Sequence, residues 1–172
     1  MMDTKKWFLI VTQRNCEEKV ARLLLRKKIE AFCPMSLFRI HEQAGIFNNR
    51  PLLPTLIFVR ITEPEKEVVM KTTGVKYFLH RFEKPAVISH EDVLHVAGFS
   101  RLYHDVEVEK SNINAHTEME SSSERSRENG NECMSLPSMG LKLIAKKENY
   151  RLQKLYPSLQ EYKRTHFALN VQ

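Results

Sequence analysis

Apolar residues fall into short blocks along the first hundred positions, and the spacing within each block predicts its conformation. Residues 7–12 (Trp7, Phe8, Leu9, Ile10, Val11, Thr12) form an unbroken β-forming run, the pattern of a central strand. A helix start follows, with Asn15 and Glu18 spaced as a capping box. Glu17 and Glu18 open that helix and Arg26, Lys27 and Lys28 close it, both signs favoured by the helix dipole. Val20, Leu23, Leu24 and Lys27 fall on one of its faces, and Lys19, Arg22 and Arg26 on another. Residues 29–35 predict a second strand broken by Pro34, with 37–40 continuing it. A polar loop over 43–50 leads into a buried strand at 56–61. Pro64 is placed to open a short helix holding Val68, Val69 and Met70, closed by Gly74. Residues 76–80 are strand-like and 86–88 are a short apolar step. Ser89 and Asp92 then suggest a capped helix ending near Gly98.

The order is β-α-β-β-α-β plus a closing helix. It predicts an α+β fold of the split βαβ, ferredoxin-like and RRM-like kind, its helices packed mainly on one face of a sheet. Past residue 104 the pattern fades. Residues 105–135 are rich in Ser, Asn and Glu, so they bury too little to offset their ordering entropy and read as a flexible linker. Within 136–172, Leu141, Leu143 and Ile144 alternate loosely, while Leu152, Leu155, Leu159 and Tyr162 have helical spacing broken by Pro157. The expected organisation is a domain over 1–104, a linker, and a short tail too small for an independent core.

Composition narrows the chemistry. Lys and Arg outnumber Asp and Glu by 27 to 21, a formal charge of +6, which suits phosphate neutralisation. Three dispersed cysteines (Cys16, Cys33, Cys133) form no CxxC pair and fit a reducing compartment. No apolar run reaches the roughly 20 residues that span a bilayer. His90 and His95 are five residues apart on one helix, which does not stack them on a common face, so no metal site is expected. The glycines are isolated, giving no phosphate loop, and no nucleophile motif is present. Only Arg14 beside Asn15 hints at catalysis, and the reading is a non-enzymatic chain without cofactors.

Four stretches, in order, resemble the N-terminal domain of the NusG family. They are residues 7–11, the basic helix of 14–28, Arg50-Pro51-Leu52-Leu53-Pro54-Thr55-Leu56-Ile57-Phe58-Val59, and Thr73-Gly74-Val75-Lys76-Tyr77-Phe78 followed by 84–88. The resemblance implies a cytoplasmic, monomeric transcription elongation factor. Its partners would be the clamp coiled coil of the largest RNA polymerase subunit and the non-template DNA strand. The family's Phe-Pro-Gly-Tyr pattern reads Leu53-Pro54-Thr55-Leu56 here, closer to specialised antiterminators of the RfaH and UpxY type. Carried over by position, Trp7, Leu53, Pro54, Leu56 and Phe58 are the expected polymerase contacts, although strand alternation leaves Trp7 and Phe58 open to either a core or an interface role. Arg14, Lys19 and Arg26 match basic positions of the RfaH-like proteins, and Arg22 extends them along the helical face as a path for the DNA strand. Lys71, Thr72 and Thr73 resemble a region that meets DNA or the far side of the cleft. The KOW domain that usually follows is not recognisable after Gly98. An alternative reading is a stand-alone single-stranded nucleic-acid module, although residues 56–61 lack the RNA-recognition motif.

Overall fold

The computed structural model describes residues 4–40, 47–81, 83–110 and 124–146. The elements run β1 (Lys6–Thr12), α1 (Glu17–Arg26), β2 (Glu30–Phe32), β3 (Met35–Arg39), β4 (Phe47–Pro51), β5 (Leu56–Ile61), α2 (Glu65–Met70) and β6 (Val75–Phe78). They continue with β7 (His80–Arg81), β8 (Lys84–Pro85), β9 (Val87–Ile88), α3 (His90–Leu102), β10 (Glu107–Lys110), β11 (Arg125–Glu128), β12 (Asn131–Leu136) and β13 (Leu141–Ala145). The main sheet is ordered β2-β5-β1-β6, and β9 pairs with β1 on the same edge as β6. With the β3–β4 hairpin set aside, this is the split βαβ order that the alternation predicts.

β1 has no free face, because its alternate residues enter two different cores. Phe8 and Ile10 pack with Val20, Ala21 and Leu24 of α1, Val69 of α2, and Ile57, Val59 and Ile61 of β5. Trp7 and Leu9 pack on the opposite side with Phe32, Phe58 and Val93, Val96 and Phe99 of α3. Two helices therefore share one face and the third covers the other.

Local chemistry accounts for several boundaries. Asn15 has φ 61°, so it cannot take the extended conformation of an N-cap; Cys16 occupies that position without a side-chain bond, and the expected capping box is not formed. Pro64 does cap α2. The Ser89 hydroxyl accepts from the N–H of Asp92 at 3.0 Å and opens α3. That helix runs through Gly98 to Leu102 instead of stopping at the glycine. Residues 29–40 divide at Pro34 into two strands with different partners, β2 on β5 and β3 on β4. Phe47–Pro51 is strand where a polar loop was expected, and residues 41–46 lie outside the described residues.

The main departure lies past residue 104. The expected linker over 105–135 contains β10, β11 and β12, which with β13 form a four-stranded antiparallel sheet ordered β10-β13-β12-β11. Met134, Leu136, Leu143 and Ala145 of this sheet join the α3-side core. The buried Asp92 carboxylate fastens it further, accepting from the Ser138 N–H at 3.2 Å and from the Ser138 hydroxyl. Charged side chains also pair across the strands; Arg127 meets Glu132 at 2.6 Å and Lys142 meets Glu128 at 2.6 Å. Leu152, Leu155, Leu159 and Tyr162 lie outside the described residues.

Candidate functional site

Three turns meet where β1 ends. The N–H of Thr12 donates to the carbonyl of Thr55 and that of Gln13 to the carbonyl of Gly74, both at 2.8 Å. Asn15, Thr55 and Gly74 all have positive φ, at 61°, 64° and 95°. Left-handed backbone is costly for a β-branched residue such as Thr55, and strain of this kind clusters at functional positions. A second bond secures Thr55, whose N–H donates to Oε1 of Glu17 at 2.8 Å; the Glu17 side chain is almost wholly buried.

The basic helix is tied to this end of the sheet from the other side. Lys27 Nζ donates to Thr72 Oγ1 at 2.8 Å, and that hydroxyl donates to the Val68 carbonyl at 2.9 Å. Thr72 is only 3% exposed, so it holds the turn together and does not present itself to nucleic acid, contrary to the expectation. Its neighbours differ. Thr73 is exposed, and exposed Lys71 is ion-paired with Glu67. Arg14, Lys19, Arg22 and Arg26 are all exposed, and among the described residues none of the four forms an ion pair. Lys19, Arg22 and Arg26 follow a three- and four-residue spacing, which sets them on one helical face.

The residues expected to grip a protein partner divide sharply. Trp7 (3% exposed), Leu53 (2%) and Phe58 (0%) are core, enclosed by α3 and the second sheet. Trp7 Nε1 donates to His90 Nδ1 at 3.0 Å, so its polar edge is satisfied internally, and Phe58 stacks on Phe32 with ring centroids 5.8 Å apart. Pro54 is exposed and Leu56 half-buried. Strand register places Leu56 beside Val11 and Val11 beside Tyr77, so the three form a row on the α3-side face of the sheet. Tyr77 is 51% exposed. The buried trio is thus a floor, and the accessible apolar groups lie at its margin.

Residues 5–97, more than half of the chain, match the family described as Transcription termination factor nusG. The chain belongs to the NusG family. That family comprises transcription elongation and termination factors which bind RNA polymerase; it is a family of transcription factors, not of enzymes. The chain is also similar to the solved structure described as a domain interaction in Thermotoga maritima NusG, with 13% identity and a TM-score of 0.47 over 84% of this chain and 95% of that one. No curated protein is a match. No helix among the described residues is long and apolar enough to cross a membrane.

In this NusG-family chain, sequence reasoning missed Val11, Tyr77, Glu17 and Lys27 as parts of the site. Val11 and Tyr77 sit 66 positions apart and meet only through the β1–β6 register. Glu17 reads as a helix-dipole charge, and its capture of Thr55 depends on how α1 packs on the sheet. Lys27 reads as one more cation of the last turn. No local signal marks any of the four.

Proposed function

We propose that the protein is an antitermination-type elongation factor that works on transcribing RNA polymerase in the cytoplasm. Pro54 and Leu56, flanked by Val11 and Tyr77, meet the clamp coiled coil of the largest polymerase subunit. Arg14, Lys19, Arg22 and Arg26 carry the non-template strand, with Lys71 and Thr73 at its margin. The specialised, RfaH- or UpxY-like character is supported by Leu53-Pro54-Thr55-Leu56, in which aliphatic groups replace aromatic ones.

The observation that carries this reading is the junction at the end of β1. One set of hydrogen bonds joins the loop of exposed Pro54 to the start of a helix whose cations are unpaired among the described residues. A factor gripping polymerase beside single-stranded DNA needs both surfaces at a fixed spacing. Phosphate contacts of this kind position a protein without reading sequence.

The test is capture of a clamp coiled-coil fragment by wild type and Leu56→Asp. A carboxylate at a desolvated contact costs several kcal/mol, so capture is expected to disappear. Leu56 is half-buried, so circular dichroism checks that the variant is folded. Folded Leu56→Asp protein that captures the fragment as wild type does would eliminate the proposed contact.

A further inference from the structure

Glu17 is a charged side chain with only 4% exposure, and it accepts from the backbone N–H of Thr55. Burying a carboxylate costs free energy unless its bonding is good. The residue it holds is itself strained, since Thr55 keeps φ 64° where glycine would sit without penalty. Two unfavourable features thus meet at one hydrogen bond, 2.8 Å long. Stability alone does not explain the pairing, because a glycine at position 55 would need no clamp. The strained residue lies between exposed Pro54 and half-buried Leu56, and the clamp comes from the first turn of the basic helix α1.

We infer that Glu17 is a positioning residue for polymerase docking, holding Thr55 left-handed so that Pro54 and Leu56 are presented in one fixed geometry relative to α1. The inference rests on the reading of Pro54 and Leu56 as polymerase contacts. A loop free to sample other conformations must be ordered again on each encounter. Ordering one backbone residue corresponds to about a five- to thirtyfold loss of affinity.

The experiment measures binding of the clamp coiled-coil fragment to the full chain carrying Thr55→Gly, Glu17→Ala, Glu17→Gln or Leu56→Asp, alongside urea denaturation of each. Glu17→Ala is expected to weaken binding about tenfold, and Glu17→Gln, which keeps an acceptor oxygen, restores most of it. Thr55→Gly keeps the N–H that Glu17 holds and loses the left-handed penalty, so it is expected to bind as wild type does and to match or exceed its stability. Should Glu17→Ala fail to fold, Glu17→Met, which fills the same space without an acceptor, takes its place with the same tenfold loss expected. Wild-type affinity in the folded Glu17→Ala or Glu17→Met chain overturns the inference while leaving the docking reading intact, provided Leu56→Asp abolishes binding. If Leu56→Asp binds normally, the docking reading falls first and takes this inference with it.

Discussion

Replacing Gly74 with alanine tests whether α1 and the turn behind it form one unit. The added Cβ would lie 2.7 Å from Cγ2 of Val20, a fully buried side chain, and 3.7 Å from Cβ of Cys16. Position 74 also holds φ 95°, which any L residue adopts at a cost of about 1–2 kcal/mol. Overpacking against α1 adds about 1–3 kcal/mol, and the stiffer unfolded chain returns about 0.4–1 kcal/mol. The net expectation is destabilisation of roughly 3 kcal/mol. Urea denaturation followed by circular dichroism measures it directly. The steric share is separable by adding Val20→Ala, which opens the space the new methyl needs. The cycle should then show coupling of about 1–3 kcal/mol, the double variant being more stable than the two single losses predict. A Gly74→Ala chain within about 0.5 kcal/mol of wild type, or costs that add without coupling, would refute the account of how the helix seats on the turn.

Three further outcomes follow from the same geometry. Phe58→Ala, with a fully buried ring stacked on Phe32, should lose about 3–5 kcal/mol in urea denaturation, whereas a residue serving mainly as a docking surface would lose far less. Replacing Arg14 and Arg26 together by alanine should weaken single-stranded DNA binding and flatten its salt dependence by about 0.7 for each phosphate no longer neutralised, measured by fluorescence anisotropy over a salt series. The Thr62 backbone N–H, with help from its hydroxyl and from Lys5, holds the Glu65 carboxyl below its ordinary 4.5. Its contribution to stability is therefore complete above 4.5 and lost as pH falls through the lower folded value. Glu65→Gln should accordingly flatten the acid limb of a urea-midpoint profile, and an unchanged limb would discount the bond.

The main sheet was legible in the sequence because its central strands β1 and β5 are mostly apolar on both sides and α1 carries acidic residues in its first turn and a basic one in its last. Residues 7–12 and 56–61 could hardly be anything but interior strands. What could not be read was pairing. The row of Leu56, Val11 and Tyr77 exists only once β1 lies between β5 and β6. The second sheet escaped notice because its stability is distributed differently. Met134, Leu136, Leu143 and Ala145 supply its apolar face, while Glu107, Arg125, Arg127 and Glu128 give the same stretch the composition of a linker. Its burial depends on packing against α3, a contact that no local pattern announces. For the same reason Trp7 and Phe58, open to either role in the sequence, become core: the cover over them is built from residues far along the chain, in α3 and the second sheet. Asn15 misled in a simpler way, since asparagine suits both an N-cap and a left-handed turn, and the turn prevails.

A strand flanked by oily surroundings above and below has a particular problem. Sliding β1 by one residue would exchange Trp7 and Leu9 for Phe8 and Ile10, greasy groups for greasy groups, so water-avoidance alone barely distinguishes the correct alignment from its neighbour. Directional bonds set the alignment instead: Trp7 to His90 near the start of the strand, and at its end Thr12 and Gln13 to the turn residues Thr55 and Gly74. Those few residues therefore act as the index marks of the whole sheet. Lineages that vary the interior freely while keeping those marks would preserve the architecture, and changes at the marks would shift it.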